Sequence, residues 1–183
     1  MTPQIHLNAN VQERMAPGGS PLGPVARAVM EERFGRSFSH VRVHTDLLAA
    51  ICARGLSARA FTVGSHIFFG DGCYDPETRP GQRLLAHELV HVIQQRTGLT
   101  PAYVDDDQRE SLERIADEAA GIVAAGATLP SSFSFGNAPE GLVQCHADDD
   151  CPGTHYSSRE RSIWMAANEA IELAYKNDPC LSG

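Results

Sequence analysis

Positive charge is the first thing this sequence is short of. Its 183 residues carry 15 Lys+Arg against 23 Asp+Glu, a formal net charge of −8, and the basic residues form no cluster. That balance excludes a nucleic-acid binder, because phosphate contacts are made chiefly by grouped Lys and Arg. Long apolar runs are missing too. Runs such as Ala60 to Val63 and Ile67 to Phe69, and the longer Leu47 to Ala53, fall far below the roughly 20 residues of a membrane helix, so no membrane span is expected. Met1 to Met15 lacks both a basic n-region and an apolar h-region, so the chain reads as made in the cytoplasm without a signal peptide. Export of the folded protein, or delivery by a particle, stays open. There are five cysteines, an odd number. Cys52 and Cys73 stand alone, while Cys145, Cys151 and Cys180 gather near the C-terminus, so the core is not expected to be a disulfide framework.

What is present suits a packed domain with a tail: 42% hydrophobic and 21% charged residues. Residues 1–20 are rich in Gly, Pro, Asn and Gln and read as a flexible arm. Residues 21–126 carry the periodic segments. Val25, Val29, Met30 and Phe34 fall at helical spacing before Gly35, Val41 and Val43 alternate as in a strand, and Asp46 to Arg54 has helical spacing up to Gly55. Arg59 to Val63 and His66 to Phe69 form a predicted hairpin around Gly64-Ser65. Pro80 opens a long helix through Leu84 to Gln95, with Gly98 and Pro101 as stop signals. A second long helix follows Asp107, its predicted cap, and ends at Gly126. Residues 127–144 read as a linker. Residues 145–183 read as a short Cys-containing tail with one helix over about 158–175.

The chemistry sits in His87-Glu88-Leu89-Val90-His91, an H-E-x-x-H within the first long helix. At 3.6 residues per turn His87 and His91 stack on one face, and both imidazoles reach one ion. The motif alone arises by chance in about 2% of chains of this composition. Glu113, 22 residues after His91, and Asp117, one turn further, lie on the second helix and lower the joint chance to about one in a thousand. Zn2+ is the expected ion. Two neutral imidazoles and one carboxylate leave the site near +1, which lowers the pKa of a bound water toward roughly 7 and polarises a carbonyl. Glu88 is the expected general base, His87, His91 and Glu113 the metal ligands, and Asp117 the acceptor of a ligand histidine's outer N–H, that of His87 above all.

Blander roles stand beside these. Glu113 and Asp117 also suit surface ion pairs with Arg109 or Arg114, and His40 and His44 suit structural roles beside a strand. Tyr74 and Tyr103 flank the metal helix, and either is a possible oxyanion donor. His66, Ile67 and Phe68 are the possible edge strand for an extended substrate, though His66 also fits a turn. Cys145, His146, Cys151, His155 and Cys180 resemble ligands in type but lack paired C-x-x-C knuckles. A Cys151–Cys180 disulfide is a second reading of the tail, and a tail with neither feature is the reading favoured over both.

Gly19-Ser-Pro-Leu22, Met30-Glu-Glu-Arg-Phe-Gly35, Ser39-His-Val-Arg-Val-His-Thr-Asp46, Ala58-Arg-Ala-Phe-Thr62, Gly64-Ser-His-Ile67 and Leu84-Leu-Ala-His-Glu-Leu-Val-His91 with Gln94-Gln95 closely resemble the core domain associated with bacterial extracellular contractile injection systems. The likeness covers about Ser20 to Ala125. It implies an α+β, zincin-like metallopeptidase core: a short β-sheet packed on the HExxH helix, with a second long helix carrying the third ligand. It also implies a gluzincin-like zinc site with the ligands and base already named, and contractile injection particle components as partners. The expected substrate is a peptide or protein, the chain's own linker included. The competing expectation is a non-catalytic loading or assembly module with structural or vestigial zinc. A third treats the Cys-containing tail as an independent effector.

Overall fold

The computed structural model describes residues 18–96, 106–137 and 144–146, the last three as backbone. In chain order the elements are β1 (Ser20–Pro21), α1 (Pro24–Phe34), β2 (Arg42–His44), α2 (Leu47–Gly55), β3 (Ala60–Val63), β4 (His66–Phe69), α3 (Arg79–Arg96), α4 (Asp106–Ala124) and β5 (Gln144–His146). The architecture is α+β, and no helix among the described residues is long and apolar enough to cross a membrane.

The five strands form one mixed sheet in the order β1-β2-β4-β3-β5. β2 runs parallel to β4, a pairing that needs a crossover, and α2 with β3 supplies it. β3 and β4 form the antiparallel hairpin around Gly64-Ser65. Side chains alternate across the sheet because the strand period is two. Ala60, Ile67 and Phe69 join the main core with Leu84, Leu85, Leu89 and Ala116. Phe61, Val63 and Phe68 meet Ala49 and Ala53 of α2 on the other face. Both faces of β3 and β4 are thus covered, which is why these strands read as continuous apolar runs.

α3 starts where its sequence says it should. The Thr78 hydroxyl accepts from Gly81 N–H at 3.2 Å, satisfying an orphan donor of the first turn, and Pro80 sits where no N–H is needed. Asp46 caps α2 in the same manner, its Oδ1 accepting from Ala49 N–H at 2.9 Å. α4 begins at Asp106, so Asp107 is inside the first turn rather than capping it. There its charge still complements the helix dipole.

Four expectations are corrected. Ser20, placed in the arm, pairs with Val43 as part of β1. Within the stretch read as linker, Leu129 and Phe135 are buried in the main core, and Leu129 N–H donates to Arg33 O at 2.8 Å. Gln144–His146, divided between linker and tail, pairs with β3. Cys73 is disulfide-bonded rather than standing apart. Cys52 is a free thiol whose pKa is pushed up to about 11, by burial first and Asp46 second. The tail helix over 158–175 and the stop signals Gly98 and Pro101 lie outside the described residues.

Arg33 binds three helices together. Its guanidinium donates to Gln82 Oε1 of α3 at 3.0 Å and to Val123 O of α4 at 2.9 Å. Gly81 sets a closer limit, since a Cβ there would collide with the backbone of Asp75. Gly81→Ala is therefore expected to lower unfolding stability by about 1–3 kcal/mol, the usual cost of overpacking. Chemical denaturation of both proteins measures it, and equal midpoints would contradict the close approach.

Candidate metal centre

α3 and α4 pack side by side, and the chemistry-bearing residues lie along their seam. On α3, His87 is 1% exposed, Glu88 and His91 are 0% exposed, and so is Gln94. A stretch this polar at such depth is costly unless each group finds a partner.

Three ligand-type atoms converge. His87 Nε2 lies 3.0 Å from His91 Nε2, and Glu113 Oε2 lies 3.2 Å from His87 Nε2 and 3.4 Å from His91 Nε2. Donors at 2.0–2.1 Å around a tetrahedral zinc ion stand about 3.3–3.4 Å apart. The observed triangle has nearly those edges. Among the described residues, His87, His91 and Glu113 are the group able to hold a metal ion.

The outer nitrogens are engaged in turn. His87 Nδ1 faces Asp117 Oδ1 at 3.3 Å, and Arg83 reaches the same oxygen at 3.5 Å. His91 Nδ1 is 2.8 Å from Gln94 Oε1, and the Gln94 amide donates to Leu112 O of α4 at 3.1 Å. That second bond fixes the amide orientation, so Gln94 Oε1 accepts from His91 Nδ1–H. The His91 Nε2 lone pair is then directed at the seam.

Glu88 points to the sheet side of α3. Thr62 Oγ1 donates to Glu88 Oε2 at 2.7 Å, and Glu88 Oε1 is buried with no hydrogen-bond partner. An orphaned carboxylate oxygen beside a ligand triangle fits a bound group that would complete the site. Gln95 ties the same region to the hairpin, donating to Thr62 O at 3.3 Å and accepting from Gly64 N–H at 2.5 Å.

The charges are coupled. Burial depresses the His87 pKa, but the carboxylates of Asp117 and Glu113 outweigh it and raise it to about 9. Burial raises the Glu113 pKa, and the imidazoles of His91 and His87 overcome this, holding it well below the usual carboxylate range. Without metal, His87 thus carries a proton near neutral pH, and a cation entering the triangle must displace it.

Other candidates fall elsewhere. The Tyr74 hydroxyl is hydrogen-bonded by the Gly23 backbone, and its ring packs on Phe69 at 4.9 Å between centroids. Tyr103 lies outside the described residues. His66, Ile67 and Phe68 do not form an edge. β4 is held between β2 and β3, because the parallel β2–β4 pairing puts it in the middle of the sheet. The strand next to α3 on the outer side is β3. His44 Nε2 contacts His66 Nδ1 at 2.9 Å, and His40 Nε2 lies 3.1 Å from the Arg96 guanidinium. Thr62 and Gln94 went unnoticed as site residues. The available signal for Gln94 was a polar side chain three residues after His91, within reach of the same helix face.

Residues 21–99 match the family model described as the eCIS core domain. No curated protein and no solved structure matches the chain.

A divalent cation in the triangle would compete with the His87 proton, so the affinity of chelator-stripped protein for Zn2+ should rise about tenfold per pH unit, levelling above about 9. Asp117→Asn should lower that affinity by about 10–100-fold and move the levelling to lower pH. Competition with a chromophoric chelator reads both, and a flat pH profile would contradict a protonated His87.

Proposed function

We propose that this chain is a zinc-dependent endopeptidase of gluzincin type, with a zincin-like core. The observation that carries the reading is the ligand triangle of His87, His91 and Glu113 beside a buried carboxylate that retains one unpartnered oxygen. Zinc held by such a donor set supplies Lewis acidity and an activated water.

The remaining work belongs to the chain's own groups. Glu88 Oε2 is occupied by the Thr62 hydroxyl, so Oε1 is the atom that takes the proton from the attacking water and returns it to the leaving amine. Thr62 fixes the carboxylate's rotation. Asp117 and Gln94 hold the two imidazoles with their Nε2 atoms toward Glu113, which keeps the ligand set in place without movement during the reaction. A peptide or protein is the substrate class. Neither Tyr74, turned toward Gly23, nor any other side chain is assigned as oxyanion donor.

The match of residues 21–99 to the eCIS core domain links the chain to bacterial contractile injection particles, as a component or as cargo. The same match favours a second reading, a loading or assembly module whose zinc is structural. Glu88→Gln separates the two. In the first reading zinc-loaded protein cleaves an unfolded substrate such as reduced, alkylated casein, and the variant keeps its zinc while losing about 10²–10⁴-fold in rate. Equal rates for both proteins, or cleavage by neither alongside co-sedimentation with purified particles, would favour the module.

A further inference from the structure

Strand β5 pairs antiparallel with β3, Gln144 opposite Thr62, Cys145 opposite Phe61 and His146 opposite Ala60. The direction of the β3 main chain follows from its other neighbour. Gly70 N–H donates to Arg59 O at 2.8 Å across the β3–β4 hairpin. Hydrogen-bonded and non-hydrogen-bonded pairs alternate in an antiparallel ladder, so Phe61 and Val63 also bond to β4. Ala60 and Thr62 therefore turn their N–H and C=O groups the other way, toward β5. Thr62 is the residue whose side chain holds Glu88 Oε2. One residue thus faces the carboxylate with its hydroxyl and β5 with its backbone.

Without β5 the outer side of β3 would be an open edge beside the HExxH helix, offering the main-chain groups of Ala60 and the N–H of Thr62, whose O also accepts from Gln95. Such an edge binds an extended polypeptide by strand addition. In a hydrogen-bonded antiparallel pair the two Cα atoms stand about 5.5 Å apart, so a peptide residue opposite Thr62 is brought next to the side chain that positions Glu88. Gln144 occupies that station in the same chain.

We propose that Gln144–His146 is a resident strand lying where an extended peptide binds, and that such a peptide enters by displacing it. The proposal rests on the peptidase reading for its consequence, which is that the C-terminal segment restrains the site. The strand exchange itself requires no hydrolysis. A tethered strand competes at an effective concentration on the order of mM, so it excludes weak extended ligands and yields to stronger or more abundant ones.

The test uses the full chain stripped of metal, its Cys73 disulfide reduced with a phosphine so that no crosslink holds the segment, and a synthetic peptide spanning residues 141–147 with Cys145→Ser, fluorescein-labelled for anisotropy. In the unaltered protein, a saturating amount of peptide should increase hydrogen exchange at the Gln144 and His146 amides at least tenfold, while those of Ala60 and Thr62 stay protected. Gln144→Pro with His146→Pro removes the two donors that face β3, and should tighten peptide binding at least tenfold. Protection at Gln144 and His146 that is unchanged by saturating peptide would overturn the proposal, as would equal peptide affinities for unaltered protein and a variant whose α3 amides remain protected. Since binding is read without metal, a failure of Glu88-dependent cleavage leaves this result standing, and a failure of strand exchange leaves the cleavage result standing.

Discussion

Everything in this fold that bears on function depends on two imidazoles and one carboxylate being pressed together at the seam of two helices. His87 Nε2, His91 Nε2 and Glu113 Oε2 stand 3.0–3.4 Å apart, the imidazoles buried and the Glu113 side chain 29% exposed. Such groups are costly to bury, and their mutual attraction is what outweighs that burial. The raised His87 and depressed Glu113 pKa values express the same tension: the cluster needs a positive charge inside it. A proton meets that need partially, and a divalent cation meets it for all three groups at once.

The surrounding structure serves to keep the cluster intact. Adjacent glutamines on α3 point about 100° apart on the helix and do different jobs. Gln94 links His91 to the α4 backbone, while Gln95 links α3 to the hairpin turn. Arg33 closes the far end of the helix pair through Gln82 and Val123. Thr62 joins the sheet to the carboxylate of Glu88. The two imidazoles and the Glu113 carboxylate are thus held on helices, and Glu88 is held from the strand that also presents its main chain outward.

The two long helices and the hairpin were legible in the sequence, since their signals are local: a 3.6-residue period, a first-turn proline, a two-residue link between β-prone runs. The H-E-x-x-H spacing and the later Glu113 and Asp117 were legible for the same reason, as side chains one turn apart share a face. What escaped was set by distant pairing. A strand of two or three residues, such as Ser20–Pro21 or Gln144–His146, has no period of its own and exists only because β2 or β3 offers a partner. The order of strands is equally non-local. His66 to Phe68 looked like an edge because it precedes the metal helix, but the crossover from β2 brings a parallel neighbour to its side and leaves β3 outermost until β5 arrives. Leu129 and Phe135 looked like linker residues because Pro, Ser and Gly surround them, while their burial depends on a groove made by α1 and α4.

The central claim is that one zinc ion is held by two histidines and one carboxylate from this seam. Zinc K-edge X-ray absorption on protein reconstituted with one equivalent of Zn2+ tests it most directly. The account predicts only nitrogen and oxygen neighbours at about 2.0–2.2 Å, with outer-shell scattering from two imidazole rings that falls to one in His91→Ala. A dominant sulfur shell near 2.3 Å, or a spectrum unchanged by His91→Ala, would place the metal elsewhere and contradict it.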